Sequence, residues 1–375
     1  MVMAPTVTID QMRDKLIPLE DLRQRLGKTE PLSYKEFSAG SPIGFDLAPD
    51  WNHGIDLVAS TDPIKASVRF GVEDAPRVTL TKEALLEFTS ACGLSKSYVQ
   101  RAPAHLITPQ LEWWYSGGFG QRDFKALQVG SDEDARVVAL TKATIQPFSN
   151  VSLLDKAVEA IYAEYGEDTE ILSDYKFQHS LRQTAFRLIV PGHQRVIEGP
   201  GTSADDTWSA GVQVRNSLIG LTQTQIDGYL FRWWCTNGAI DVKASAGAWN
   251  RKAGGQGDDV YEWAREAVDG ILGGLEHSFQ AVEDLTQVPL DEDAAVVLRD
   301  LFEEYKIPLA ARSRITDNMV TASGELTMYS MMQAVTEAAN QVDLDPNHAE
   351  HLMRIGGDLP HSVHERCEAC HRLTV

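Results

Sequence analysis

The chain is short of cysteine, short of basic residues and without a long apolar run, and each scarcity removes a class of protein. Four cysteines among 375 residues cannot build the disulfide framework of a small secreted domain. No apolar stretch approaches the roughly 20 residues that cross a bilayer. The opening MVMAPTVTIDQMRDK puts acid and base where a secretory signal needs an apolar segment. Together these absences predict a cytoplasmic protein with reduced thiols and no membrane contact. Lys and Arg number 34 against 54 Asp and Glu, a formal charge of -20. A surface that acidic does not coat nucleic acid all over, because phosphate binding depends on Lys and Arg.

What the chain does have is enough apolar material, 43%, for one large domain or two ordinary ones. Its charge is also uneven. Residues 173–252 hold nine bases and six acids, a net of +3 that leaves -23 elsewhere. Inside that segment lies the stretch around which the rest is organised, residues 208–240, WSAGVQVRNSLIGLTQTQIDGYLFRWWCTNGAI. Residues 210–214 are β-branched at alternate positions and residues 226–234 are rich in aromatics. Both read as strands, paired across a polar connection. Asn237-Gly238 then signals a turn, since both residues tolerate positive φ.

The first 40 residues read as an arm, with a helical pattern over 9–26 broken at Ile17-Pro18. Short strands are expected at 67–70 and 77–80. Thr81 caps a helix that Gly93 ends, and a second short helix follows. Residues 111–115 carry three adjacent aromatics, Trp113, Trp114 and Tyr115, before a glycine-rich turn; such a combination suits stacking on a base, although most aromatics are core. Residues 136–143 form a strand, and Ser152 opens a helix. Strands at 184–190 and 194–197 are expected to pair across Pro191-Gly192-His193. The remainder is helical, over 258–285, 290–305, 326–341 and 347–355. In the first of these helices Gly270, Gly273 and Gly274 each cost about 1 kcal/mol against alanine, which implies close packing or a kink. Strands first and helices later indicate an α+β fold, an antiparallel strand-rich central region followed by a helical C-terminal part. The expected division is an arm at 1–40, a strand-rich core at 41–255, a helical region packed on it at 256–356, and a tail at 357–375.

The string RNSLIGLTQTQIDGYLFRWWCTNGAI resembles the phage- and plasmid-encoded family known as domain of unknown function 932. RVVALTKATIQPFSNVSLLDKAV and LTMYSMMQAVTEAAN are similar to two further stretches of that family. The resemblance covers about residues 105–345 and implies a mobile-element origin without a settled activity. In fold alone, a strand-rich half followed by helices is similar to the Rad52-like single-strand annealing proteins. The polar insert at 245–259 departs from the family pattern.

Four chemistries are compatible with these residues. The first is single-stranded DNA binding. Arg215, Arg232, Lys243, Arg251 and Lys252 would track phosphates; Tyr229, Trp233, Trp234 and Trp113 would stack bases. Alternation on the strand puts Tyr229 and Trp233 on one face and Arg232 on the other, and a wholly structural aromatic strand is the competing reading. The second is a nucleophilic Cys235, but no His lies within ten residues to activate it, so no catalytic residue is assigned. The third is zinc, with Cys367 and Cys370 as two ligands and His371 with either His361 or His364 completing four, since thiolates and imidazoles suit tetrahedral coordination. The same Cys-x-x-Cys-His string matches haem attachment, which needs export. The fourth is assembly through aromatic edges. The expectation is therefore a mobile-element protein that binds single-stranded nucleic acid in recombination or annealing and forms a homo-oligomer. The alternative is a non-enzymatic phage assembly or host-interaction protein.

Overall fold

The computed structural model describes residues 13–28, 30, 33–38, 43–49, 51, 63–71, 75–118, 123–130, 134–174, 178–179, 183–202, 206–233, 237–241, 248–249, 257–290, 294–322, 326–340, 344 and 346–372. Two sheets carry it, each with its own helical cover, and the α+β expectation holds.

The larger sheet runs β1 (Ile17–Pro18), β8 (Leu172–Ser173), β10 (Thr184–Val196), β11 (Thr207–Asn216), β12 (Thr224–Arg232) and β13 (Asn237–Asp241). In addition, β9 (Gln178–His179) pairs with β10 and β14 (Ala248–Trp249) with β12. Every pairing in it is antiparallel. The register sets Phe186 opposite Val214, Leu188 opposite Val212 and Ala210 opposite Leu230. The middle of one face is therefore hydrocarbon, with Arg232 and Asn216 at its two ends. Against it pack α5 (Asn150–Tyr165) through Leu154, Ala157 and Ile161, and α6 (Gly257–Asp284) through Val260, Ala264, Val268, Ile271 and Leu275. Both sets recur at the 3.6-residue period that makes a helix amphipathic. Helices α7 (Ala294–Glu304), α8 (Leu309–Thr321), α9 (Met328–Ala339) and α10 (Pro346–Arg372) complete this half.

The smaller sheet runs β2 (Ser33–Ser38), β6 (Asp123–Val129), β7 (Arg136–Lys142), β5 (Arg77–Thr81), β4 (Pro63–Phe70) and β3 (Ile43–Leu47). Only β5 and β7 are parallel. The chain between those two strands includes α2 (Lys82–Ala91), α3 (Lys96–Arg101) and α4 (Ala104–Trp113). Thr81 caps α2 as expected, its Oγ1 accepting from Ala84 N at 3.2 Å. Under the helices sits a ring cluster of Phe37, Phe45, Phe88, Tyr115 and Phe124, with centroids 5.3–6.4 Å from their neighbours.

The two halves meet at the turn joining β11 to β12. Leu218 and Ile219 bury against Leu127, Val129, Val138 and Ala139 on the second sheet's other face. Thr141 Oγ1 donates to the Ile219 carbonyl at 2.9 Å. The Asn-Ser-Leu-Ile-Gly portion of the central motif thus latches one half to the other.

Four expectations are corrected. Residues 184–196 form one strand with an irregularity between Val190 and Gln194, and not a hairpin across Pro191-Gly192-His193. The described residues of the expected arm at 1–40 are woven into the fold: α1 (Leu19–Gly27) buries Leu22 and Leu26, and β1 and β2 each join a sheet. Local periodicity did not reveal those distant strand partners. The boundary at 356/357 falls inside α10, which continues to Arg372. Finally, a Cβ at Gly270, Gly273 or Gly274 would meet nothing within 4 Å, so these glycines are not sites of close packing. Close packing occurs instead at Gly357, where a Cβ would collide with the Ile240 carbonyl. There α10 lies against the edge strand β13, covering an edge that would otherwise be open to pairing.

Candidate functional site

The residues expected to meet a ligand on β12 are interior on both faces of the strand. Arg232 is buried. Its Nε and Nη2 donate to the two Asp206 carboxylate oxygens, each at 2.6 Å, and its Nη1 donates to Gln333 Oε1. Tyr329 OH donates to Asp206 Oδ2 at 2.7 Å and accepts from Trp208 Nε1 at 3.1 Å. A bidentate, charge-assisted pair of this kind is how an arginine survives burial. The guanidinium is spent on Asp206 and Gln333, and Arg232 is no phosphate contact. Trp233 is buried too, with Nε1 donating to Ser209 Oγ at 2.7 Å.

Tyr229 sits at the centre of the other face. The Arg187 guanidinium lies 5.1 Å from its ring centroid, and its hydroxyl donates to Asp174 Oδ2 at 3.4 Å. Arg187 donates through Nη1 to Asp174 and through Nε to Gln213, both at 2.8 Å. Burial pushes the Tyr229 phenol well above its ordinary range, opposed by Arg187 and reinforced by Asp174. The register places Arg187 opposite Gln213 and Gln213 opposite Asp227. A polar row therefore crosses the sheet's interior. Arg354 on α10 donates to Asp227 Oδ2 and to Glu350, and Arg215 pairs with that same Glu350. Arg215, Tyr229, Arg232 and Trp233 thus brace the fold. Sequence alternation alone could not show that both faces of β12 are covered. Lys243, Arg251 and Lys252 lie outside the described residues, as do Trp234 and Cys235.

The motif's amides are structural as well. Asn216 Nδ2 donates to the Phe148 carbonyl at 2.7 Å and to Asn150 Oδ1 at 2.8 Å, while Thr224 Oγ1 donates to Asn216 Oδ1 at 3.0 Å. The start of α5 is satisfied by Glu30, whose carboxylate accepts from Asn150 N at 2.8 Å and Val151 N at 3.1 Å, and by Ser149 Oγ, which accepts from Ser152 N. An acid at a helix N-terminus complements the unpaired N–H groups there.

His361, expected as a zinc ligand, is buried, with Nε2 3.0 Å from Asp241 Oδ1. That contact removes its Nε2 from the ligand set. The side chains of His364, Cys367, Cys370 and His371 lie outside the described residues. Among the described residues no group of three His, Cys, Asp or Glu is arranged around a metal, and no helix is long and apolar enough to cross a membrane.

Among the described residues, the exposed aromatics are on α3 and α4. Trp113 is 60% exposed, Leu106 45% and Tyr98 36%; Lys96, Arg101 and His105 are exposed beside them. Ile107 and Leu111 anchor α4 in the core, which turns Leu106, Gln110 and Trp113 outward at helical spacing. Gln110 Nε2 donates to Tyr98 OH at 2.8 Å and ties the two helices together. Glu112 accepts from Phe45 N at 3.1 Å, fixing α4 against β3. The signal for this surface was present in the sequence. Residues 88–111 contain no Asp or Glu, in a chain where 54 of 375 residues are acidic. No family model matches the chain, and neither a curated protein nor a solved structure matches it.

Proposed function

We propose that the protein binds single-stranded nucleic acid through the outer face of α3 and α4, in a recombination or annealing step of a mobile element. The observation that carries the reading is Trp113, 60% exposed, two residues past the acid-free stretch 88–111, which presents Lys96, Arg101, His105 and Tyr98. Exposed rings beside cations are what sequence-tolerant strand binding requires, with stacking worth about 1–3 kcal/mol per base. The net charge of -20 disfavours polyanion contact over the whole surface. Two cationic contacts, Lys96 and Arg101, predict a salt slope of about -1.4, from roughly -0.7 per phosphate contacted on a single strand. Fluorescence anisotropy with a labelled oligonucleotide at low salt tests this. Salt-dependent binding with tryptophan quenching is expected, and absence of binding at micromolar protein would sink it.

A second reading, assembly with another copy or a host protein, is favoured by Leu106, whose 45% exposure beside Tyr98 makes part of the same patch apolar. Light scattering across a concentration series separates the two: self-association abolished by Leu106→Glu, with oligonucleotide affinity intact, supports assembly.

A further inference from the structure

Helix α3 carries one exposed ring whose position is set by the neighbouring helix. Ser95 caps α3, its Oγ accepting from Tyr98 N at 3.3 Å, and the next residue, Val99, is buried. The Tyr98 side chain is left on the outside, 36% exposed. Its hydroxyl is held by α4, where Gln110 Nε2 donates to it at 2.8 Å.

Gln110 in turn sits on the outward row of α4. Leu106 precedes it by four residues and Trp113 follows by three, so the three are surface neighbours with Cβ atoms about 5–6 Å apart. The hydrogen bond therefore brings the Tyr98 hydroxyl to the middle of the row that ends in Trp113. Two exposed rings from different helices thus share one surface, with the Gln110 amide between them. Arg101, also exposed, follows Tyr98 by three residues on α3, which sets a cation beside the ring. The tie has an energetic consequence. An untethered exposed side chain samples several rotamers, and ordering it when a ligand arrives weakens binding. Gln110 orders the ring beforehand.

We propose that Gln110 positions Tyr98 as a second stacking platform, so that α3 and α4 together take two bases of one unpaired segment, one on Tyr98 and one on Trp113. The inference rests on the nucleic-acid reading above and adds to it a positioning residue and a second base site. Gln110 acts through the Tyr98 hydroxyl and itself stacks on no base.

Anisotropy titrations of labelled oligo-dT on the full chain test this with Gln110→Leu, Tyr98→Phe, their double variant and Tyr98→Leu. Gln110→Leu and Tyr98→Phe should each weaken binding about two- to tenfold, the cost of ordering one side chain. The double variant should bind no more weakly than either alone, because both substitutions remove the same hydrogen bond. Tyr98→Leu, which removes the ring as well, should bind more weakly than Tyr98→Phe; a tie that only joins two helices would make those two equal. Tryptophan quenching at saturating oligo-dT should persist in Gln110→Leu, since Trp113 is untouched. Tyr98→Phe removes one oxygen and breaks the same link, so it carries the test if Gln110→Leu does not fold. Wild-type affinity in Gln110→Leu, additive losses in the double variant, or equal binding by Tyr98→Phe and Tyr98→Leu overturns the positioning role and leaves the nucleic-acid reading on Trp113. No binding of oligo-dT by wild type overturns both.

Discussion

Arg232 separates a structural arginine from a phosphate-binding one. In Arg232→Ala, Asp206 remains fully buried and keeps only the Tyr329 hydroxyl of the side-chain partners described here. Leaving one member of a buried pair uncompensated costs about 3–5 kcal/mol. Unfolding entropy near 2.1 cal/mol/K per residue, over 375 residues, gives about 0.8 kcal/mol per degree for a single cooperative transition. The Tm should therefore fall by about 4–6 °C, read by circular dichroism or dye-based melting. Arg232→Lys should recover only part of the loss, because an ammonium cannot match both carboxylate oxygens. The double variant Arg232→Met with Asp206→Leu removes both charges and should melt above Arg232→Ala. Oligonucleotide affinity at a temperature where the single variant is folded should match wild type. An unchanged Tm together with lost affinity would refute the argument from burial and return Arg232 to the surface.

Trp113→Ala should weaken single-strand binding about 5- to 150-fold, the equivalent of 1–3 kcal/mol of stacking, with little change in Tm because the ring is mostly exposed; titration by anisotropy measures it. Gly357→Ala drives a methyl into the Ile240 carbonyl and should cost about 1–3 kcal/mol, whereas Gly273→Ala meets open space and should stabilise α6 by up to about 1 kcal/mol; denaturant melts of the pair give opposite signs. Burial pushes the Cys92 thiol up to about 12, opposed by its hydrogen bond with Tyr115. Its alkylation at pH about 8, followed by peptide mass spectrometry, should lag well behind a free thiol of pKa about 8.5. The sign for stability follows from the raised value. Cys92's contribution is fully present below the unfolded pKa near 9 and is lost as pH climbs towards about 12. Cys92→Ala should flatten part of that alkaline fall in Tm.

Much of the local structure was legible because its causes act over a few residues. Thr81 caps α2 by a hydrogen bond three residues away. The 3.6-residue stripe of α6 and the alternation on β11 and β12 are written in single runs of sequence, and they suffice for the α+β class. What touches each face is not written there. Arg232 finds Asp206 26 residues away and Gln333 101 residues away. Tyr229 meets Asp174 across 55 residues, and β1 finds its place beside β8, more than a hundred residues on. Exposure is likewise a property of the whole fold. Tyr229 and Trp113 are both rings in apolar surroundings by sequence, yet one is sealed under Arg187 and the other stands in solvent. Secondary structure followed from short-range sterics and periodicity. The division of charged and aromatic side chains between interior and surface followed only from packing, because desolvation depends on every neighbour a side chain acquires when the chain closes on itself.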